Sequence, residues 1–218
     1  MMARPGHLVL VVGPSGAGKD SVLNAAKDVL KVERDFVFPR RFVTRLNVPA
    51  AEDHVSMTEM EFAIAVAEDA FCLWWGAHGN HYGIGQAVEG DIAAGAIVCI
   101  NCSRTVIAEA CSRFERVSVI EITAPPELLV ARIVARGRES AGQALQRVSR
   151  QVPDYPPGLP VARIVNDGPL DRAVSEFCAV LRSLQDAAAH PGGSALDGEH
   201  QQEDRDDNGR GLIVVEQL

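Results

Sequence analysis

Aromatic residues are scarce in this chain. Phe, Trp and Tyr make up 5% of its 218 residues. A core must therefore be filled by Val, Ile, Leu and Ala, which the hydrophobic fraction of 47% can supply. Positive charge is also in deficit, with 21 Lys and Arg against 29 Asp and Glu and a formal net charge of −8. That balance argues against general affinity for nucleic acid or for anionic membranes. No apolar run approaches the ~20 residues that a bilayer crossing needs. Met1 to His7 lead straight into the first apolar run and leave no room for a signal peptide, so a cytoplasmic protein is expected. The five cysteines are an odd number and suggest no disulfide framework. Cys99-x-x-Cys102 lies in an apolar run, and no second Cys/His pair has matching spacing. Buried thiols are expected there rather than half a zinc site.

What is present begins at Leu8. The apolar run Leu8 to Val12 is followed by Gly13-Pro14-Ser15-Gly16-Ala17-Gly18-Lys19, and a helix-compatible segment starts at about Lys19. Strand, glycine-rich turn and helix start in this order form a P-loop. The glycines let successive backbone N–H groups point at one anion. The helix start adds unpaired donors and the positive end of its dipole. Lys19 supplies a point charge for the β- and γ-phosphates. The Ser or Thr that usually follows the lysine is replaced by Asp20, with Ser21 one step later. A carboxylate there either holds Mg²⁺, for which hard oxygen ligands are suited, or caps the helix.

Strand and helix patterns then alternate. Strands are expected at 7–12, 36–38, 96–100, 116–123 and 161–165. Helices are expected at 19–32, from the capping box Thr58-x-x-Glu61, at 86–94, at 104–114, from Pro125 and at 169–188. On the first helix, Val22, Leu23, Ala26, Val29 and Leu30 form the apolar face. Residues 47–56 read as a polar loop around Glu52-Asp53-His54, and 76–85 as a loop dense in glycine and histidine. The alternation predicts an α/β fold, with a mostly parallel sheet covered on both faces and ligands beyond the strands' carboxyl ends. The strand at 96–100 ends in Asn101, where many P-loop enzymes place an Asp that helps hold magnesium.

Two arginine groups stand out. In Arg40 to Arg45, period-two alternation puts Arg41 and Arg45 on one side, so the pair either grips an anionic substrate or forms a solvated basic edge. Arg132, Arg136, Arg138, Arg147 and Arg150 flank a break at Gly137 and Ser140 to Gly142. They form either a helical lid that closes cations over a transferring phosphate or an ordinary amphipathic hairpin. The composition shifts near the end. Residues 1–188 are expected to form the domain, and 189–218 a disordered appendage with seven carboxylates against two arginines.

These residues resemble the guanylate-kinase-like branch of P-loop kinases over about residues 7–185. The resemblance rests on the P-loop at 13–19, Thr44-Arg45, Gly79-Asn80-His81-Tyr82-Gly83 and the lid arginines Arg136 and Arg147. The chain departs from that branch where its guanine-reading glutamate is Leu73, its second phosphate arginine is Val48 and its strand-end aspartate is Asn101. The variant features resemble the ribose 1,5-bisphosphate phosphokinases of bacterial phosphonate breakdown. Those features are Gly18-Lys19-Asp20-Ser21, Thr44-Arg45, Trp75 to Gly79 with Tyr82-Gly83-Ile84, Asn101-Cys102-Ser103-Arg104 and Arg136 to Ser140.

The resemblance implies a P-loop kinase fold with a helical lid. It also implies ATP-dependent phosphorylation of ribose 1,5-bisphosphate to 5-phosphoribosyl 1-diphosphate, with ATP and Mg²⁺ as cofactors. Its partner would be a small sugar bisphosphate; whether the chain forms a homodimer stays open. In that reading Gly13, Pro14, Ser15, Gly16, Ala17, Gly18 and Lys19 hold ATP, and Asp20, Ser21 or both position Mg²⁺. Arg41, Arg45 and Tyr82 hold acceptor phosphates, and His54 and His78 touch the sugar. Arg136, Arg138 and Arg147 close over the transferring group. Two alternatives are a guanylate or other nucleoside-monophosphate kinase, and a non-catalytic binding module of the same fold.

Overall fold

The computed structural model describes residues 6–45, 54–77, 79–135 and 154–189, together with positions 142 and 145. The first apolar run forms β1 (His7–Val12), with all six residues buried. Unbroken apolar sequence suits a central parallel strand, which has no solvated face. β1 pairs in parallel with β7 (Ile97–Asn101) on one side and β8 (Val117–Thr123) on the other. Outside these lie β2 (Phe36–Val37) and β9 (Val161–Val165), also parallel, giving the order β2-β7-β1-β8-β9. The expected α/β sheet is therefore present, and its strands' carboxyl ends share one edge.

The side chains of β1 alternate between two cores. Val9 and Val11 pack with α1 (Lys19–Leu30), α5 (Pro126–Ala135) and α6 (Leu170–Ala189). Leu8, Leu10 and Val12 pack with α3 (Ala87–Ala93), α4 (Ile107–Arg113) and two strands of a second sheet. Side chains such as Phe177, Leu10 and Ile120 are completely buried. Each contributes about 1.5–3 kcal/mol relative to exposure. On α1 the stripe Val22, Leu23, Ala26 and Leu30 is buried as its spacing requires. Val29, at the edge of that stripe, is instead 52% exposed.

The second sheet has the order β4-β3-β6-β5 and contains β3 (Arg41–Val43), β4 (His54–Ser56), β5 (Phe71–Ala77) and β6 (Asn80–Gly85). It corrects two expectations. Part of the 47–56 loop is an edge strand, with His54 opposite Arg41 in parallel register. An edge strand tolerates the polar residues that made this segment look irregular. The 76–85 loop is largely an antiparallel hairpin between β5 and β6. One of its glycines serves packing: a Cβ on Gly83 would lie 2.7 Å from the Phe71 ring. Glycine in a strand commonly marks such a close approach.

α2 (Glu59–Ala67) starts at the expected capping box. The Thr58 hydroxyl accepts from the Glu61 amide at 3.2 Å, and the Glu61 carboxylate accepts from the Thr58 amide at 2.7 Å. Among the described residues, no helix is long and apolar enough to cross a membrane. The expected lid, with Arg136, Arg138 and Arg147, lies outside the described residues. So does His78, and so does the acidic tail beyond Ala189.

Candidate active site

The P-loop follows β1 and reaches α1 at Lys19. Gly13 has a φ of 147°, and a Cβ there would fall 1.9 Å from the Ile122 carbonyl oxygen. The first glycine is thus demanded by the neighbouring strand as well as by the turn. Gly18, with a φ of 87°, is the N-cap of α1. A Cβ on it would fall 2.5 Å from the Asn166 amide nitrogen. Asn166 donates from Nδ2 to the Ala17 carbonyl at 2.8 Å. Arg132 donates to the Asn166 carbonyl at 3.0 Å and to the Gly16 carbonyl at 3.4 Å. Residues from the ends of β9 and α5 therefore brace the loop from behind. The sequence reading missed this brace. Its only sequence signal was a polar residue closing a parallel strand, where ligand sites gather.

The Lys19 ammonium donates to the Gly13 carbonyl at 2.8 Å and the Pro14 carbonyl at 3.1 Å. Burial pulls its pKa down to about 8, Arg41 and Arg104 pull the same way, and Asp20 opposes them. An ammonium so placed gains from an arriving polyanion, whose charge offsets the cost of burial. Cys102 lies close by. Burial pushes its thiol up to about 12, so it is neutral near pH 7. The free, buried state of Cys99 and Cys102 agrees with the expectation of structural thiols.

Asp20 occupies the first turn of α1 and does not cap it. Its Oδ1 instead accepts from Asn101 Nδ2 at 2.6 Å and from Arg41 at 3.3 Å. The capping alternative is thus not realised. Ser21 is exposed in the same turn. Arg41 also donates to the Asn101 carbonyl at 3.4 Å. Its guanidinium carbon stands 5.8 Å from the centre of the Tyr82 ring, which stacks on Trp75 at 5.5 Å and 9°. A cation over an aromatic face is held by the ring's quadrupole. Arg41 therefore ties the second sheet to the P-loop edge of the first. A cavity of about 60 Å³ opens here, lined by Asp20, Asn24, Lys27, Phe38, Arg41 and Asn101 among others.

Arg45 is half-buried just beyond β3. Thr44, before it, is anchored to β6. Its hydroxyl accepts from the His81 amide at 2.9 Å, and its own amide donates to the His81 carbonyl at 3.0 Å. Glu59 meets His81 Nδ1 at 2.9 Å. Hydrogen bonds from the Thr44 hydroxyl and from His81 hold the Glu59 carboxyl below its ordinary value. His54 sits beside Arg41 on the ladder, with Nε2 3.4 Å from the Ser56 hydroxyl. Leu73, by contrast, is completely buried in the apolar cluster beneath β1.

One more charged group flanks the P-loop strand. Glu121 pairs in register with Val12 at the end of β1 and is 8% exposed. Its carboxylate bonds Arg104 through one oxygen and Arg163 through the other, the latter at 2.9 Å. Burial alone would raise its pKa. Arg163 and Arg104 outweigh that and hold it below the usual value.

The structure thus links Asp20, which follows Lys19 of the P-loop, to Arg41, and Arg41 to the Tyr82 ring, with His54 opposite Arg41 on the ladder and Arg45 just beyond β3. Among the described residues, no three His, Cys, Asp or Glu side chains converge as a metal cage. An Mg²⁺ shared with phosphate oxygens and water needs only one or two carboxylates, and Asp20, with a side chain 54% exposed, fits that requirement.

No protein-family model matches the chain. It is 43% identical over 179 residues to the ribose 1,5-bisphosphate phosphokinase PhnN of Bradyrhizobium diazoefficiens, covering 82% of this chain and 89% of that protein. The protein of the same name in Methylobacterium radiotolerans is 46% identical over 182 residues, covering 82% of this chain and 99% of the relative. A bifunctional ribose 1,5-bisphosphokinase-thymidine phosphorylase of Cupriavidus pinatubonensis is 41% identical over 190 residues. That match takes in 87% of this chain but 31% of the larger protein. Among solved structures, guanylate kinase from Anaplasma phagocytophilum superposes with a TM-score of 0.61 at 18% identity, over 85% of this chain and 88% of that one. That likeness establishes the guanylate-kinase-like fold.

Proposed function

Because the chain belongs to the ribose 1,5-bisphosphate phosphokinase family, we propose that it transfers the γ-phosphoryl group of ATP to ribose 1,5-bisphosphate, giving 5-phosphoribosyl 1-diphosphate. The observation that carries the reading is Arg41. It reaches from β3 to Asp20 and Asn101, and so brings a basic acceptor segment to the P-loop's edge. The acceptor atom is a phosphate oxygen that is already ionised. No general base is required, and catalysis reduces to alignment and charge neutralisation.

In this reading the backbone of 13–18 and Lys19 bind the nucleotide's phosphates. Arg41, Arg45 and Tyr82 orient the acceptor's phosphates, and His54 and His78 are assigned to its ribose. Arg136, Arg138 and Arg147 close over the transferring group. Asp20, with Ser21 beside it, holds the Mg²⁺ that neutralises β- and γ-phosphate charge when bound. In this reading the reaction is a cytoplasmic step of phosphonate breakdown, supported by its use of ATP and by the family of its relatives. The buried Leu73 offers no polar group to a nucleobase, which supports a sugar acceptor over GMP.

The test is phosphorus NMR of the full chain with ATP, Mg²⁺ and ribose 1,5-bisphosphate. New diphosphate resonances coupled to the sugar's anomeric position are expected. Loss of ATP signal without them would refute the acceptor.

A further inference from the structure

We infer that Asn101 is a positioning residue that aims the Asp20 carboxylate at the nucleotide's divalent cation, so that the carboxylate serving the cation comes from the head of α1 rather than from the end of β7. The inference rests on the reading of Asp20 as the cation's ligand. Three observations converge on it. P-loop sites commonly pair a hydroxyl after the lysine with a carboxylate at a neighbouring strand end. In this chain the carboxylate stands after the lysine, as Asp20, and a neutral amide, Asn101, ends β7. The two side chains meet directly, Asn101 Nδ2 donating to Asp20 Oδ1 at 2.6 Å.

The third observation concerns charge and rigidity. Asn101 is 9% exposed and sits in the central sheet, whereas the Asp20 side chain is 54% exposed. The buried partner thus fixes the exposed one. Arg41 bonds both, reaching Asp20 Oδ1 at 3.3 Å and the Asn101 carbonyl at 3.4 Å. Both donors use Oδ1, which leaves the carboxylate's orientation defined by protein groups. A carboxylate at position 101 would have no N–H to donate to Asp20 and would set a like charge against it. An amide at 101 is the neutral group of the same shape that can donate to Asp20. Asp at 20 and Asn at 101 are therefore one matched arrangement carrying a single negative charge. Groups that orient a metal's ligand typically change metal affinity by ~10–100-fold when removed.

The experiment measures Mn²⁺ affinity by its electron paramagnetic resonance signal, using the full chain saturated with β,γ-methylene ATP. Nucleotide binding in EDTA and melting temperature serve as controls for folding. Asn101→Leu is expected to weaken Mn²⁺ binding about tenfold. Asn101→Asp alone is expected to weaken it as well. The exchanged double variant, Asp20→Asn with Asn101→Asp, is expected to regain affinity lost in either single variant, which a merely structural asparagine would not produce.

If Asp20→Asn weakens Mn²⁺ binding while Asn101→Leu leaves it at the wild-type value, the positioning role is wrong and Asp20 still holds the cation. If Asp20→Asn itself binds Mn²⁺ normally, the assignment of Asp20 fails and the inference with it. Should Asn101→Leu not fold, the exchanged double variant decides, and absence of any recovery overturns the inference.

Discussion

Asn166, closing β9, donates a 2.8 Å hydrogen bond to the carbonyl of Ala17 inside the P-loop, 149 positions earlier in the chain. The bond holds the loop from the side opposite its open face. It also leaves no space at Gly18, whose Cβ would fall 2.5 Å from the same amide nitrogen. Gly18→Ala should therefore raise the KM for ATP at least tenfold, because both the positive φ and the Asn166 contact are violated. Asn166→Ala should cost about 1–3 kcal/mol of stability, since a buried carbonyl loses its donor. Steady-state kinetics and thermal melting of the two variants check this.

Lys19→Met should lower kcat/KM by at least ~100-fold, as expected when a preorganised charge on the transferring group is removed. The fold should survive. The ammonium is disfavoured by burial in the free protein, so its loss removes an unfavourable charge along with two hydrogen bonds to loop carbonyls. A melting temperature within a few degrees of wild type, alongside the lost turnover, is the expected result. Normal turnover would sink the assignment of Lys19.

Glu121→Leu should destabilise the protein by about 2–3 kcal/mol, because it leaves the Arg104 guanidinium without its anion. Arg163 is 66% exposed at its side chain and is compensated by water. The pH dependence has a definite sign. The Glu121 pKa is depressed in the folded state, so the folded protein holds fewer protons than the unfolded one below the ordinary value of 4.5. The contribution is then present above about pH 4.5 and is lost as pH falls through the folded pKa. Wild type and Glu121→Leu should differ most in melting temperature near neutrality and converge in acid.

The elements that carry their own local signal were legible in the sequence. The unbroken run of β1, the glycine spacing before Lys19 and the Thr58–Glu61 box each specify their structure within a few residues, and each formed as expected. The β5–β6 hairpin was not legible. Gly76, Gly83 and Gly85 read as loop punctuation, whereas Gly83 exists to seat the Phe71 ring. That partner lies on another strand. The contacts of Asp20 with Asn101, of Glu121 with Arg104 and Arg163, and of Asn166 with Ala17 depend on strand order and register. No periodicity along the chain encodes them. Asp20 and Asn101 were each visible as departures from a pattern, and only the parallel pairing of β1 with β7 makes them neighbours.

Arg41→Lys should raise the KM for the sugar bisphosphate by about tenfold, more than it raises the KM for ATP. A lysine keeps the charge but cannot reproduce a planar fork that serves Asp20, the Asn101 carbonyl and the Tyr82 ring together. Comparison of KM values for the two substrates in the same variant checks this. An equal loss for both would place Arg41 on the nucleotide instead.

The most direct measurement is ADP release by the wild-type chain with ATP and Mg²⁺, comparing ribose 1,5-bisphosphate with GMP as acceptor. The buried Leu73 and the basic segment at Arg41 predict a kcat/KM at least ~100-fold higher for the sugar bisphosphate. Turnover with GMP equal to or faster than with the sugar would contradict the account, and would mean that a nucleobase is read by residues other than Leu73.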